Sequence, residues 1–217
     1  MTNDPDTSAL PTAADADTAG AATSTAATHE RDRISPVAEN VSEGFAQGAK
    51  PQDSERIDAV CRWLDEAGIT YACYFHEASP TIEEAKRHWR QDGSKHCKNL
   101  FFRNHKGDRH YLVCFDCDRS LAIHDLEHRL RQGKLSFASP QRMQRYLGLE
   151  PGSVSPFGLI NDTEHHVHLF LDRNLRQCES LSFHPNDCRA TVVIARTEFE
   201  RYLMRVGNSC EYIDLYE

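Results

Sequence analysis

The chain has 217 residues, 39% of them hydrophobic and 27% charged, which fits one domain with a tail. No run of about eighteen uncharged apolar residues occurs, so a membrane-spanning helix is excluded. The first thirty residues are acidic and contain no apolar segment, which excludes a secretory signal and a transit peptide. We therefore expect a cytoplasmic protein. The net charge of −8 is uneven, because residues 1–49 hold eight acids and two bases, whereas residues 50–217 hold 25 acids and 23 bases. The acidic total is thus no argument against an anionic partner.

In chain order, the first segment is a tail. Residues 1–50 are rich in Ala, Thr, Asp and Ser and hold few large apolar side chains. Such a composition buries too little surface to offset chain entropy, so we predict a disordered acidic tail. A single domain is predicted over residues 54–206, followed by a short C-terminal tail at residues 207–217.

The first half of the domain shows helical spacing, then strand-like runs. Thr81 and Glu84 have the spacing of a capping box, which predicts a helix close behind them. Two β-rich runs flank Lys106-Gly107-Asp108, a turn sequence that predicts a hairpin. The predicted elements are a helix from Ser54 to Gly68, a strand at 70–76, a helix at 85–90, and hairpin strands at 99–103 and 109–115.

The second half continues to mix helices and strands without a βαβ rhythm, which favours a curled, mixed sheet in an α+β fold. Thr197 and Glu200 repeat the capping-box spacing before the last helix. The predicted elements are a helix at 123–130, a strand at 135–138, a helix from Pro140 to Gly148, a loop at 150–158, strands at 159–161, 167–171, 180–183 and 191–195, and a helix ending at Val206.

The most polarised stretch is residues 85–110, with eight Lys or Arg against two Asp. Four aromatic residues lie in or beside it, so it suits a surface that binds phosphates and stacks a base. A solvated helix face with a polar hairpin is the alternative. The aromatic residues are Trp89, Phe101, Phe102 and Tyr111.

Three further features suggest chemistry, each with a structural alternative. Lys98, at the edge of an apolar strand, is either a fixed cation for a phosphate or ester, or an ordinary surface lysine. The glycine-bounded loop 152–158 either offers backbone N–H groups to an oxyanion or is a tight connection. His184, at a strand end, is either a general base or donor to substrate, or a turn residue.

Metal and redox chemistry have weaker support. Cys114 and Cys117 have CxxC spacing, but Cys178 and Cys188 are too far apart to complete a usual zinc site, and we expect all eight cysteines to be reduced thiols. His165, His166 and His168 lack a metal-binding pattern and are predicted to be exposed strand residues. No P-loop, dinucleotide-binding glycine motif, GxSxG elbow or kinase signature is present. We expect no metal and no cofactor.

Together the motifs resemble the YbaK family of aminoacyl-tRNA deacylase domains, with the closest likeness to the free-standing prolyl-tRNA editing proteins of the PrdX type. The likeness runs from about Ser54 to Val206 and implies a YbaK-like fold, a largely antiparallel mixed sheet flanked by helices. One departure is His76-Glu77-Ala78-Ser79-Pro80, where relatives commonly read His-Pro-Pro. The motifs are Thr81-Ile82-Glu83-Glu84-Ala85, Lys98 to Arg103, Gly107 to Val113, Leu135 to Pro140, Gly152 to Asp162, Phe183 to Asn186, and Thr191 to Ile194.

The resemblance also implies residue roles. Lys98 would position the terminal phosphate and adenosine of the tRNA and stabilise charge, with Asn99 assisting. His184 would bound the amino-acid pocket or support the ester, and Gly152 would begin the loop that orients water. Substrate-binding residues implied in the same way are Thr81, Ser153, Val154, Ser155, Pro156, Phe157 and Gly158.

The implied activity is trans-editing, the hydrolysis of mischarged alanyl-tRNA(Pro) to alanine and free tRNA(Pro) while prolyl-tRNA(Pro) is spared by pocket size. Two alternatives stay open: a deacylase for a cysteinyl, seryl or threonyl ester, and an inactive module that binds tRNA or a synthetase. Expected partners are aminoacylated tRNA(Pro) and either prolyl-tRNA synthetase or an elongation factor, with no membrane. We expect a monomer.

Overall fold

A computed structural model gives the structure of the chain and describes residues 48–216. The predicted disordered tail lies outside the described residues, apart from residues 48–50. Within those three, the backbone N–H of Gly48 donates to the carbonyl of Phe75 at 3.0 Å. The chain is therefore attached to the first strand of the sheet before the first helix begins.

Five α-helices form within the described residues. In the fourth, Ser139 Oγ accepts from the N–H of Arg142, Pro140 occupies the first position, and Gly148 ends the helix at a φ of +65°. The helices are α1 (Glu55–Glu66), α2 (Ile82–Ala85), α3 (Ile123–Leu130), α4 (Pro140–Leu147) and α5 (Arg196–Val206), with 3₁₀ helices at Pro156–Asn161 and Arg173–Gln177.

Eight strands form one mixed sheet in the order β1-β7-β6-β2-β3-β5-β8, with β4 paired to β2. Four of the seven pairings are antiparallel and three are parallel. The predicted mixed, largely antiparallel sheet with flanking helices is confirmed. The strands are β1 (Tyr71–Phe75), β2 (Lys95–Asn104), β3 (His110–Asp116), β4 (Leu135–Phe137), β5 (Val167–Asp172), β6 (Ser180–Phe183), β7 (Ala190–Ala195) and β8 (Cys210–Ile213).

Apolar side chains fill both faces of the sheet. Along β3, Leu112 and Cys114 join one core, whereas Val113 and Phe115 join the other, because successive side chains of a strand point to opposite faces. The larger core also holds residues of α1, α5 and the 3₁₀ helix at Pro156–Asn161. The smaller core is closed by α3 and by the C-terminal residues, including Leu215.

The edge of β2 that faces away from β3 is only partly covered. Its first two residues pair with β6, and its last three pair with β4. Between these contacts, residues 97–100 have no strand neighbour on that edge within residues 48–216. A gap therefore opens in the sheet beside Lys98 and Asn99.

Two predicted elements are corrected by the structure. The second helix spans Ile82–Ala85 rather than residues 85–90, because the Thr81–Glu84 capping box places Glu84 inside the first turn. The strand predicted at residues 159–161 is wrong. Those residues belong to the 3₁₀ helix that begins at Pro156, where Ser155 Oγ accepts from the N–H of Phe157.

The C-terminal part differs from prediction as well. Helix α5 begins at Arg196 without a side-chain cap, and Glu200 pairs with Arg196 at 2.9 Å, so the predicted Thr197 capping box is wrong. Residues 207–217 are not merely a tail, because Cys210–Ile213 pairs with β5 in parallel. No helix among residues 48–216 is long and apolar enough to cross a membrane.

Candidate functional site

A cavity of about 320 Å³ opens at the gap beside β2, and we call it the central cavity. Its walls come from β2, β6, β7, the start of α2, α4 and the loop before the 3₁₀ helix. Six of the residues predicted from the sequence line it together, although they are separated by up to about a hundred positions in the chain. These are Thr81, Lys98, Asn99, Gly152, Val154 and His184.

Lys98 supplies the positive charge of the central cavity. Among residues 48–216 it is the single Lys or Arg in the cavity wall, and no Asp or Glu of this range lines the wall. Within the described residues its ammonium group has neither an ion pair nor a hydrogen bond. A half-buried cation without a counter-charge attracts an anionic or strongly polar ligand.

The loop at the cavity rim begins with a tight turn. The N–H of Ser153 donates to the carbonyl of Glu150 at 3.0 Å, and Gly152 has a φ of +89°. Pro151 before a glycine with positive φ is the pattern of a type II turn. The backbone N–H groups of Gly152 and Val154, both in the cavity wall, have no acceptor within residues 48–216. They are free to donate to a ligand oxygen.

One polar side chain holds this loop by a carbonyl group, and a second lies close to it. Asn99 Nδ2 donates to the oxygen of Val154 at 3.2 Å, and the His184 ring lies beside the same stretch of backbone. Burial lowers the pKa of His184 to about 4, so its ring is neutral at pH 7. A neutral ring that donates from one nitrogen accepts at the other.

The cavity floor carries buried polar atoms with no partner among the described residues. They are Asn99 Oδ1, Ser182 Oγ and His184 Nδ1. Ser182 and His184 are two positions apart on β6 and at its end, so they point to the same face. Unpaired buried polar atoms cost free energy, and their clustering at one cavity is typical of a ligand site.

Five of the predicted substrate-binding residues do not line the cavity: Ser153, Ser155, Pro156, Phe157 and Gly158. The Pro156 carbonyl accepts from the hydroxyl of Tyr202 at 2.7 Å, and Phe157 is fully buried in the larger core. A Cβ on Gly158 would lie 2.7 Å from Leu149 Cδ1. These residues pack behind the wall and support Gly152 and Val154.

The predicted base-stacking aromatics are also largely inside the protein. Phe101, Phe102 and Tyr111 are at most 3% exposed, so none of the three offers a face to a nucleobase. Trp89 does line the central cavity, but one face of its ring stacks on His96 at 4.0 Å. The interpretation of this stretch as an aromatic surface is wrong except at Trp89.

The acidic residues that could bind a metal ion already form ion pairs with lysines. Asp116, Cys117 and Asp118 are close enough to share an ion. However, Lys95 pairs with Asp116 at 3.0 Å and Lys86 pairs with Asp118 at 3.4 Å. These ammonium groups neutralise both carboxylates. All eight cysteines are free thiols.

The three neighbouring histidines have different environments. His165 is exposed but lies before β5, and His166 and His168 are half-buried, so the prediction of exposed strand residues is wrong for all three. His166 Nε2 lies 2.8 Å from His110 Nδ1, and His168 Nδ1 lies 2.7 Å from the hydroxyl of Ser209. They have structural hydrogen bonds and do not reach the central cavity.

Several cavity residues have no role in the sequence-based prediction, and His76, Phe137 and Ser182 are among them. Ser182 lies two positions before His184, so strand alternation was a usable signal for it. Phe137 lies between Ser136 and Ala138, in a segment that resembles the family but implied no role for this residue. His76 begins the segment that departs from the family's His-Pro-Pro, and that departure did not mark it as a cavity residue.

Comparisons with known proteins show the family of the chain. The model of the aminoacyl-tRNA editing domain matches residues 76–202. The chain is 39% identical over 163 residues to the prolyl-tRNA editing protein ProX of Acetoanaerobium sticklandii, covering 75% of this chain and 99% of that protein. It is 31% identical to the prolyl-tRNA synthetase associated domain-containing protein 1 of Danio rerio, covering 78% and 91%.

A solved structure described as a candidate trans-editing enzyme for prolyl tRNA synthetase has a similar fold. The TM-score is 0.56, with 19% sequence identity, and the match covers 76% of this chain and 99% of that one. At this identity the likeness concerns the fold alone.

Proposed function

The chain belongs to the aminoacyl-tRNA editing domain family and is an aminoacyl-tRNA deacylase. We propose that it edits mischarged tRNA(Pro) in trans and that its substrate is alanyl-tRNA(Pro). The ester bond between alanine and the terminal ribose is hydrolysed to alanine and free tRNA(Pro). A relative that is 39% identical and matched over 99% of its length is a prolyl-tRNA editing protein, which supports this choice of tRNA. We propose that the reaction takes place in the cytoplasm.

The observation that carries the proposal is the composition of the central cavity. Within the described part of the chain, it combines one unpaired cation, Lys98, with free backbone N–H groups at Gly152 and Val154, and no carboxylate lines its wall. An aminoacyl ester is already activated, so its hydrolysis needs a bound water and a stabilised oxyanion more than a nucleophilic side chain. The wall supplies donors and positive charge, which such a reaction requires.

In the proposed mechanism, Lys98 contacts the terminal phosphate or ribose of the tRNA. The ester carbonyl accepts from the N–H groups of Gly152 and Val154, which then stabilise the negative charge that develops on that oxygen. Asn99 acts by holding the Val154 carbonyl, which fixes the direction of the loop, and His184 bounds the cavity beside it. The remaining ribose hydroxyl of the substrate orients the attacking water, so part of the machinery belongs to the RNA.

Selectivity is proposed to come from size. The cavity is bounded by the rim loop on one side and by the start of α2 on the other. An alanyl methyl group enters this space, whereas the proline ring, which is tied back to its own nitrogen, is excluded sterically. A pocket that rejects the larger cognate amino acid protects prolyl-tRNA(Pro) from hydrolysis.

The test is single-turnover deacylation of alanyl-, cysteinyl-, seryl-, threonyl- and prolyl-tRNA(Pro) by the purified chain. We expect fast loss of alanine with prolyl-tRNA(Pro) spared. Lys98→Ala should slow the reaction by at least about a hundredfold, the loss that removal of one transition-state contact produces. Lys50→Ala is the control, because Lys50 pairs with Asp58 outside the cavity and should leave the rate unchanged.

The outcomes separate the alternatives. Preference for the cysteinyl, seryl or threonyl ester would replace alanine as the substrate but retain the deacylase. Binding of tRNA with no hydrolysis of any ester would contradict the enzyme and leave an inactive binding module. A loss in Lys98→Ala that appears only in substrate affinity identifies a phosphate clamp, whereas a loss in the single-turnover rate identifies electrostatic catalysis.

A further inference from the structure

Phe137 is an exposed aromatic side chain at the mouth of the central cavity. It is 53% exposed, whereas Phe101, Phe102 and Leu135 on β2 and β4 are buried. It lines the same cavity as Lys98 and Leu100. A large apolar side chain at the rim of a polar site is placed to contact a ligand.

The ring of Phe137 is held in one orientation by its strand partner. Phe137 pairs with Phe102 across β4 and β2, and the two rings stack with centroids 4.7 Å apart and planes 23° apart. Phe102 is fully buried, and its ring packs against one face of the Phe137 ring and fixes the orientation of that ring. The opposite face is open, which makes it a flat, rigid, apolar surface.

The register gives the distance between this ring and the cation of the cavity. Lys98 and Phe102 share one face of β2, because they are an even number of positions apart. Four residues of strand correspond to about 13 Å, and Phe137 lies directly beside Phe102. One or two nucleotides span such a distance, so a nucleotide held by Lys98 would bring a base to Phe137.

The surroundings of Phe137 carry unpaired positive charge. Three basic residues in the hairpin turn and just before β4 have no salt bridge within the described residues: Lys106, Arg109 and Lys134. Nearby Asp108 and Glu127 accept hydrogen bonds from Asn104 and from the N–H of Leu135 and keep their negative charge. Three basic residues against two acidic ones leave a positive excess, which complements a phosphate backbone.

We propose that Phe137 is the platform on which the base of the 3′-terminal adenosine of the tRNA stacks, while the basic residues beside it contact the preceding phosphates. The partner is single-stranded RNA, because a base inside a duplex exposes no free face to an aromatic ring. Stacking does not depend on the amino acid, so this contact holds any tRNA end and leaves amino-acid choice to the cavity. The inference rests on the proposed function for the identity of the RNA.

The direct test uses uncharged tRNA(Pro) in which the terminal adenine is replaced by 2-aminopurine, a fluorescent base that is quenched when it stacks. Saturating wild-type protein should quench the fluorescence. Phe137→Leu keeps the apolar contact with Phe102 but removes the aromatic face, so the quench should disappear and binding should weaken about tenfold. Phe137→Trp should preserve both.

Met204→Leu is the matched control, because Met204 is a 75% exposed apolar side chain on α5, outside the cavity. It should bind and quench as the wild type does. Thermal unfolding of each variant checks that the fold is intact. The wild-type quench itself does not depend on any variant.

Absence of quenching at saturating wild-type protein would overturn the platform, and so would an unchanged quench with Phe137→Leu. Either result, obtained together with normal hydrolysis of alanyl-tRNA(Pro), would leave the proposed function standing. Quenching that depends on Phe137, in a protein that hydrolyses no ester, would support the platform and contradict the proposed function.

Discussion

At the scale of single residues, Gly152 shows how a backbone requirement positions a reactive group. Its φ of +89° is unfavourable for any residue with a Cβ. Space is not the constraint, because the nearest atom to a Cβ there would be Pro80 Cβ at 3.6 Å. A glycine is needed here because its positive φ sets the direction in which the backbone N–H groups of the loop point.

Gly152→Ala should therefore lower deacylation more than it lowers stability. We expect a loss of about 1 kcal/mol in the free energy of unfolding, from backbone strain, and a fall in single-turnover rate of at least about tenfold, from displaced donors. Gly68→Ala is the matched control. Gly68 has a φ of +64° and no atom within 4 Å of a Cβ, at the end of α1. An equal rate loss in both variants would contradict this role of Gly152.

At the scale of elements, the rim loop is held by the structure behind it. The 3₁₀ helix that follows the loop receives a hydrogen bond from Tyr202 of α5 at the Pro156 carbonyl. Asn186 Nδ2 donates to the carbonyl of Phe157 at 3.2 Å. Both donors are buried. These hydrogen bonds hold the 3₁₀ helix in place, so the loop before it, with its free N–H groups, is held in one orientation.

Removing the Tyr202 hydroxyl should measure this support. Tyr202→Phe leaves the Pro156 carbonyl buried without its partner, and we expect a loss of about 1 to 3 kcal/mol in urea unfolding. The Tyr71 hydroxyl is less buried and contacts the Asp65 carboxylate at 3.1 Å and the Cys61 carbonyl at 3.3 Å, so Tyr71→Phe should lower stability by less than about 1 kcal/mol. Equal effects of the two substitutions would show that Tyr202 does not support the loop.

At the scale of the whole molecule, the sheet ends at β8 and is interrupted along one edge of β2. Strand β8 pairs with β5, and Leu215 beyond it is 1% exposed in the smaller core. The gap between β4 and β6 along β2 is the opening that remains. Two cores on either side of the sheet keep that gap rigid, because neither face can shift without disturbing close packing.

The stability of the whole fold should fall in mild acid because of His110. This residue is 1% exposed, with rings of Phe101 and Tyr146 against it. Arg142 donates to its Nε2 at 2.9 Å, so Nδ1 carries the proton and donates to His166. Burial, followed by electrostatic repulsion from His166 and from the nearby arginines, lowers the pKa of His110 to about 4; the arginines are Arg142, Arg103 and Arg145.

An unfolded chain takes up this proton near pH 6.5, whereas the folded chain does so only near pH 4. The free energy of unfolding therefore falls progressively as the pH falls from 6.5 to 4, by about 3 kcal/mol for this one group. Urea unfolding at several pH values measures the slope. His110→Gln should reduce the slope in that window, and His124→Gln, at an exposed histidine, should leave it unchanged. An unchanged slope in His110→Gln would contradict the prediction.

The sequence alone determined those features that depend on local pattern. The helix after Ser54, the hairpin around Lys106-Gly107-Asp108 and the helix from Pro140 to Gly148 follow from spacing, turn residues and caps. The motif order identified the family, and it named six residues that share the cavity wall. These signals are local, because capping, turn geometry and side-chain alternation act over a few residues.

Only the tertiary structure decided which side chains are accessible. Phe101, Phe102 and Tyr111 look in sequence like a stacking surface, but two cores on opposite faces of the sheet bury all three, and Phe137 is the ring left open. The wall contains Ser182 and excludes Phe157 because the gap in β2 opens toward β6. Strand β8 forms by pairing with the edge of β5 that does not pair with β3. Burial and pairing depend on residues far apart in the chain, and no local pattern contains them.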